Sequence, residues 1–394
     1  MKILYLTARQ PYPVTKGDQI IAYEQIKELS KNHEIYLVSF YNKDYKILVN
    51  EMNKYCKKLY LFKDSKIKQL IAASKTVFNF SSIQANCYYR YDVNKKIKEV
   101  YNEIEPDIIH VQSFRMARYF LDENIKNKSI DLIDAYSLNM LNRAKKAKNI
   151  LKLLWYSEYH LLKRFEKDIL KRYKYKFIVA ERDKDYLQDS GIVVNYNGTS
   201  LNNENKKEIN KNNNVNIIFQ GNMSYYPNVQ AVIFLIEELL PKIKLLCSNV
   251  KLLVVGSNPS KEILKYKSED IEFTGYVESM KPYLNSADMA IYPIFSATGI
   301  QNKVLEAMAS KIPCIVSKEA ASGVLGLVDM KNILIADNLD QYISCFEYIL
   351  NNKDDINLIV NEGYNLIKEK YSWGRNVSVL EKIWIDEVVK EKWR

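Results

Sequence analysis

Strand–helix alternation over residues 1–196, an asparagine-rich break, and a second alternation from Ile217 onward predict an α/β protein of two doubly wound domains. The chain has 394 residues, too many for one ordinary core, and its 47% hydrophobic content is enough to bury two. The boundaries expected from the break are 1–196 and 197–372.

In the first half, residues 3–7 form a short apolar strand. A loop with Pro11, Pro13 and Gly17 follows, then an amphipathic helix over 18–30 with Ile21, Ile26 and Leu29 near helical spacing. Residues 34–40 and 58–62 read as strands, and 65–105 as mostly helical until Pro106 stops the run. Residues 107–111 make a strand with its polar end at Gln112, and 130–133 a strand ending at Asp134. One long helical stretch covers 137–173, and 177–179 and 193–195 are further strands.

Residues 197–216 hold nine asparagines and almost no apolar side chains, so they read as a linker. A strand over 217–219 then runs into Gly221, followed by a helix over 229–246 whose last turns Pro241 disturbs. Strands at 251–255 and 271–274 end at Gly256 and Gly275, and a short helix covers 280–286. The clearest unit comes next. A strand over 289–292 breaks at Pro293, a polar loop spans 296–302, a helix covers 303–309, and a strand follows at 314–316. This βαβ arrangement implies a parallel sheet, with the loop at a strand's carboxyl end and a helix's start. Free N–H groups and the helix dipole there favour an anion, and Gly299 allows close approach of a ligand to the backbone. Glu306, one turn into the helix, is placed to accept hydrogen bonds from a diol. A last strand at 333–336 and terminal helices complete the second half.

Composition narrows the function. The formal net charge is +11, and twelve Lys/Arg against three acids lie between Arg143 and Lys176. Such charge suits an anionic membrane surface or an anionic substrate. No nucleic-acid module is visible, so no nucleic-acid partner is expected. Five scattered cysteines without a CxxC pair fit a reduced, cytoplasmic protein. The N-terminal apolar run is too short for a signal peptide, and no run reaches the roughly 18 residues of a membrane span. Three dispersed histidines make no zinc site. The single Asp-x-Asp, Asp183-Lys-Asp185, lies in a charged helical stretch, so no metal cofactor is expected.

An ordered set of short motifs carries a resemblance: Pro106-Asp-Ile-Ile-His-Val111, Val194-Asn-Tyr-Asn-Gly198, Ile218-Phe-Gln-Gly221, Leu253-Val-Val-Gly256, Ile271-Glu-Phe-Thr-Gly-Tyr-Val277, and Lys303–Ala309 with Lys311-Ile-Pro313. With them the chain resembles retaining glycosyltransferases of the GT-B fold, glycosyltransferase family four or group 1. Tyr12-Pro-Val-Thr-Lys-Gly-Asp18, Ser113-Phe-Arg-Met-Ala-Arg118 and Gly299-Ile-Gln-Asn-Lys303 are similar to a subgroup associated with bacterial exopolysaccharide assembly. The resemblance implies two Rossmann-like domains facing across a cleft, the first binding the acceptor and the second the nucleotide sugar. It also implies that residues 373–394 return to the first domain, with Trp373, Trp384 and Trp393 as anchors of that packing.

The same resemblance assigns roles. Glu306 would bind the donor ribose, Gly299 and Ile300 the diphosphate or sugar, and Val277 the base. Gly17 would let the first domain approach the diphosphate. The substrate would be a UDP-sugar or GDP-sugar, and the acceptor a glycan or polyprenyl-linked molecule at the inner face of the plasma membrane. Departures from the family pattern refine this. The family's sugar-contacting Glu is Thr298 here, which leaves no carboxylate nucleophile at that position. The family's two cations after the first strand of the second domain are Asn222 and Pro227. Lys303 is the candidate replacement for charge on the diphosphate. The family's second His of an H-x-H strand end is Gln112, which with Arg115 is an acceptor candidate. The expected chemistry is same-face attack with the diphosphate taking the acceptor proton. Asp18 and Asp134 are candidates to orient the acceptor hydroxyl, or else a helix cap and a strand end. His110 is either catalytic or packed. The rival readings are a GT-B binding subunit without activity, and sugar-nucleotide epimerisation or hydrolysis.

Overall fold

The computed structural model describes residues 1–74, 81–122, 124–147, 149–202, 214–295 and 301–392. The chain divides into two compact units, Met1–Gly198 with Trp373–Arg394, and Thr199–Ser372.

The first unit is built on a parallel sheet of β1 (Lys2–Thr7), β2 (Glu34–Tyr41), β3 (Lys58–Lys63), β4 (Ile108–Gln112), β5 (Lys128–Asp131), β6 (Tyr175–Ile178) and β7 (Ile192–Val194). Their order is β3-β2-β1-β4-β5-β6-β7. The chain winds outward from β1 in one direction and from β4 in the other. The carboxyl ends of β1 and β4 therefore flank the switch point where such sheets bind ligands. Residues 3–7 and 108–112 are buried throughout, as expected of parallel strands covered on both faces.

The returning helix, Trp373–Lys392, packs on the helix Gly17–Leu29. Val377, Leu380 and Trp384 join Ala22, Ile26 and Leu29 in one core cluster. Trp373 forms a second buried cluster with Ile21, Ile133 and Val179. A Cβ on Gly198 would lie 2.5 Å from the Trp373 ring, so only glycine fits where the chain leaves the unit. Trp393 lies outside the described residues.

The described part of 65–105 is mostly helical, as expected, in Lys66–Ser74, Ile83–Cys87 and Tyr91–Ile104. Two expectations change. The stretch 137–173 is two helices, Tyr136–Lys146 and Asn149–Arg172, because Ala147 is extended and Asn149 has a left-handed φ of 55°. The strand expected to reach Ile133 ends at Asp131. The Asp131 carboxylate accepts the Ile133 N–H at 3.0 Å and turns the chain, with Ile133 at φ 68°.

The second unit repeats the architecture with β8 (Val215–Gln220), β9 (Val250–Val255), β10 (Ile271–Gly275), β11 (Met289–Tyr292), β12 (Cys314–Val316) and β13 (Leu334–Ile335). All pairings are parallel, in the order β10-β9-β8-β11-β12-β13, so its switch point lies between β8 and β11. The helix expected over 229–246 is Tyr226–Phe234, a π-helical turn Leu235–Leu239, and Leu240–Leu246. Pro241 has no N–H, and its ring crowds the carbonyl of an ordinary preceding turn. Just before it, the Leu240 N–H bonds five residues back to Leu235 O, and the wider turn carries the helix through.

Candidate active site

At the second switch point, β8 ends in Gln220 and then Gly221. Gln220 is buried, and its Nε2 donates to a Glu306 carboxylate oxygen at 2.6 Å. Glu306 is on the helix Asn302–Ala309, which follows β11 and buries Val304, Leu305, Ala307, Met308 and Ala309. That packing turns Glu306 and Lys303 toward the end of β8. Burial pushes the Glu306 carboxyl up to about 7, against the opposing pull of Lys303. Burial likewise brings the Lys303 ammonium down to about 8, with Glu306 acting in the other direction. The two charges thus support each other in a poorly solvated place. Tyr292, at the end of β11, is fully buried and also feels the Glu306 charge.

Lys303 Nζ donates to Asn228 Oδ1 at 2.5 Å and stands 4.9 Å from the centre of the Phe219 ring. Asn228 Nδ2 in turn donates to the Asn222 carbonyl at 2.8 Å. The Asn222 side chain closes its own turn, accepting from the Ser224 N–H at 3.0 Å and the Ser224 hydroxyl at 2.8 Å. Two glycines make the close packing of these loops possible. A Cβ on Gly256, at φ 148°, would lie 1.8 Å from Gly221 O, and one on Gly221 would lie 2.7 Å from Asn228 Nδ2. Val277 is half-buried, just after β10. Thr298, Gly299 and Ile300 lie outside the described residues. Gln220 and Asn228 complete this cluster and stand outside the site residues expected from the sequence. A polar residue closing a buried parallel strand at Gln220 was the available signal.

At the first switch point, the loop between β1 and the first helix is organised by Gln19. Its Nε2 donates to Gln10 O at 2.8 Å, and its Oε1 accepts from the Thr15 hydroxyl at 2.7 Å. Gly17 is the first residue of that helix, with nothing within 4 Å of where a Cβ would stand. Lys16 is the N-cap residue and no side chain caps the helix, so Asp18 is not its cap. Instead Asp18 pairs with Arg9 at 2.6 Å. Gln112 is buried beneath this turn, its Nε2 donating to Asp18 O at 2.9 Å, which makes it a support of the Gly17–Asp18 backbone. Arg115 is half-buried and lies 4.8, 5.3 and 5.8 Å from the ring centres of Tyr136, Phe114 and Tyr88. It also donates to Tyr136 Oη at 3.2 Å. Burial raises the Asp134 carboxyl above the ordinary aspartate range, helped by Asp183 and opposed by Arg182 and Arg115.

His110 is a core residue. It is fully buried, with its ring 4.9 Å from Tyr5 and 5.1 Å from Trp384, and its Nδ1 bonded to Ser129 Oγ at 2.9 Å. Desolvation takes it down to about 3, so it is neutral at physiological pH. The catalytic alternative for His110 is corrected accordingly. A pocket of about 440 Å³ opens beside the Gln19 loop, lined among others by Arg9, Lys16, Gln19, Lys43, Gln69 and Tyr88.

Residues 214–352, from the start of β8 through the helix Leu339–Asn351, match the family described as Glycosyl transferases group 1. The second unit carries a glycosyl transferases group 1 domain. No curated protein matches the chain in sequence. Among solved structures, a glycosyltransferase from Rickettsia africae is similar with a TM-score of 0.64 at 14% identity, over 99% of this chain and 98% of that one. Anabaena HepE in complex with UDP-glucose has a TM-score of 0.62 at 12% identity, over 98% and 100%. A variant of S. aureus TarM in complex with fondaparinux, α-GlcNAc-glycerol and UDP has 0.59 at 13%, over 97% and 99%. These likenesses show the fold, that of the GT-B proteins. Within the group 1 domain, Gln220, Asn228, Lys303 and Glu306 form the cluster at the switch point.

Proposed function

We propose that the chain is a retaining glycosyltransferase that moves a sugar from a nucleoside-diphosphate donor to a glycan or lipid-linked acceptor in bacterial cell-surface polysaccharide synthesis. The observation that carries the reading is the Gln220–Glu306 and Lys303–Asn228 pairing at the switch point of a glycosyl transferases group 1 domain. Glu306 offers carboxylate oxygens to a ribose diol, and Gln220 fixes their direction. Lys303 replaces the cations missing at Asn222 and Pro227, because its ammonium reaches the Gly221 loop from the facing helix. Charge that develops on a departing diphosphate meets this poorly solvated ammonium without solvent reorganisation. With Thr298 in place of a carboxylate, the reading takes same-face attack, the donor phosphate accepting the proton. In the first unit, Gly17 leaves room for close approach, and Asp18, Asp134 and Arg115 face the acceptor. No step calls on a metal.

The test is a melting-temperature screen against UDP- and GDP-sugars. A donor at a hundred times its dissociation constant adds about 2.7 kcal/mol, roughly 5–10 °C for units of this size. One donor should give this shift with the parent protein and none with Glu306→Ala. No shift with any donor would favour the second reading, an inactive GT-B binding subunit, to which the departures at Asn222, Pro227 and Thr298 also point.

A further inference from the structure

The exposed aromatic side chains of the second unit are not scattered. Among its described residues, Tyr225, Tyr226, Tyr276 and Phe295 are half exposed or more. All four follow the carboxyl ends of strands: Tyr225 and Tyr226 after β8, Tyr276 after β10 and Phe295 after β11. Their settings differ. Phe295 packs edge-on against Phe234, with ring centres 5.3 Å apart. Tyr276 follows a strand beyond β9, on the side of β8 away from β11. Tyr225 and Tyr226 share the turn that holds the polar cluster and are 50% and 71% exposed.

That turn is ordered from within. Besides the bonds of Asn222 with Ser224 and Asn228, the Tyr225 N–H donates to Asn222 O at 3.2 Å, and Tyr225 O accepts the Asn228 N–H at 2.9 Å. Pro227 fixes φ in the first turn of the helix Tyr226–Phe234. Tyr225 is the N-cap residue of that helix, and its side chain makes no capping bond. Ser, Thr, Asp or Asn is preferred at such a position, because its oxygen meets the first N–H groups. Tyrosine forgoes that bond, and Tyr226 beside it leaves a second ring in water. Two rings displayed at a local cost, on a backbone already ordered, mark a surface kept for contact with a ligand.

The order of groups along the site says which ligand. At the end of β8, Gln220 holds Glu306, and both ends of the turn, Gly221 and Asn228, meet Lys303. The two tyrosines are at the exposed tip beyond them. In a nucleotide sugar the ribose, the diphosphate and the sugar follow one another in the same order. A pyranose has a face of C–H groups edged by hydroxyls, which suits an aromatic face with a hydroxyl at its own rim. We propose that Tyr225 and Tyr226 form a stacking platform for a pyranose ring, brought either by the donor or by an accepting saccharide. The choice of a sugar rests on the transferase reading, whereas the displayed pair of rings does not.

The experiment compares the full chain with Tyr225→Ala, Tyr226→Ala, the double alanine variant and a double phenylalanine variant. Calorimetry with UDP, GDP and their sugars reads the donor arm. Retention on immobilised hexose, N-acetylhexosamine and uronic acid oligosaccharides reads the acceptor arm. The double alanine variant should lose about tenfold in affinity in one arm, the worth of aromatic stacking. The double phenylalanine variant should keep most of it, and the melting temperature and the affinity for UDP or GDP alone should not change. Loss confined to nucleotide sugars assigns the donor's sugar, and loss confined to the oligosaccharides assigns the acceptor. An equal loss for UDP or GDP alone would put the rings on the nucleoside and overturn the proposal. So would a double alanine variant that matches the parent in both arms. A parent that binds no nucleotide yet holds saccharides through the two rings would remove the transferase reading and leave the platform standing.

Discussion

Glu306→Gln should stabilise the protein and cripple it. In the folded chain the carboxyl sits at about 7, raised by burial from an ordinary 4.5. A raised acid favours its protonated form, so folding is penalised where the unfolded chain would be ionised. The penalty begins as pH rises through about 4.5 and is complete above about 7. A shift of about 2.5 pH units corresponds to roughly 3 kcal/mol. Glutamine is neutral at every pH and keeps an oxygen for the Gln220 amide, so it escapes this cost. Part of the gain is lost through Lys303, which no longer has a carboxylate to offset its own desolvation. A net gain of about 2 kcal/mol remains, about 4–8 °C in the melting of the second unit. Melting at about pH 8.5 and at about pH 5 gives the comparison, because the difference should shrink toward the acid side. Donor affinity should fall roughly 10- to 100-fold, the worth of charged hydrogen bonds to a diol. A glutamine variant no more stable than the parent at alkaline pH would refute the idea that Glu306 is held at a cost for binding.

Lys303→Met should leave the protein folded and no less stable at neutral pH, since the lowered amine is penalised as pH falls from about 10.5 to about 8. Turnover should drop about 10²- to 10³-fold if the ammonium meets the diphosphate, and Asn222→Arg should restore part of it in steady-state assays. His110→Asn should lower stability by about 1–3 kcal/mol yet leave the pH profile of the folded enzyme unchanged. It should also remove the acid sensitivity that arises as pH falls from about 6.5 toward about 3. Gly256→Ala should cost at least about 2 kcal/mol, since its Cβ would overlap Gly221 O. An unchanged urea midpoint would show that the two loops part more easily than their packing implies.

The fold was legible because parallel strands buried on both faces read as short apolar runs, and both sheets consist of such runs. Boundaries slipped where a local device overrides periodicity. Nothing in the alternation of residues 130–134 announces that Asp131 turns the chain by holding the Ile133 N–H. The π turn ahead of Pro241 is equally silent, since a helix widened by one residue keeps nearly the same apolar pattern. Lys303 and Glu306 could be read as a pair because one helical turn separates them. Their partners Gln220 and Asn228 arrive from 86 and 75 residues away, through strand order rather than spacing. His110 shows the opposite failure: a strand-end histidine looks chemical until Tyr5 and Trp384 close over it, the latter from the far end of the chain.

The missing cations at Asn222 and Pro227 look like lost activity only if charge must come from the β8 loop itself. A diphosphate responds to where positive charge stands, and β8 and the helix after β11 are neighbours across the switch point. A lysine on either wall can serve the same phosphate. Moving it to the helix has consequences that the loop position would not. Lys303 shares its helix with Glu306, so the residue that would bind ribose and the residue that would meet phosphate titrate against each other. Loss of the Glu306 charge lowers the Lys303 pKa further and weakens the ammonium near neutral pH. The two functions are therefore coupled, and the Glu306→Gln and Lys303→Met effects on donor binding should not add. A double variant that loses the full sum of the single effects would show that the two side chains act on the donor independently.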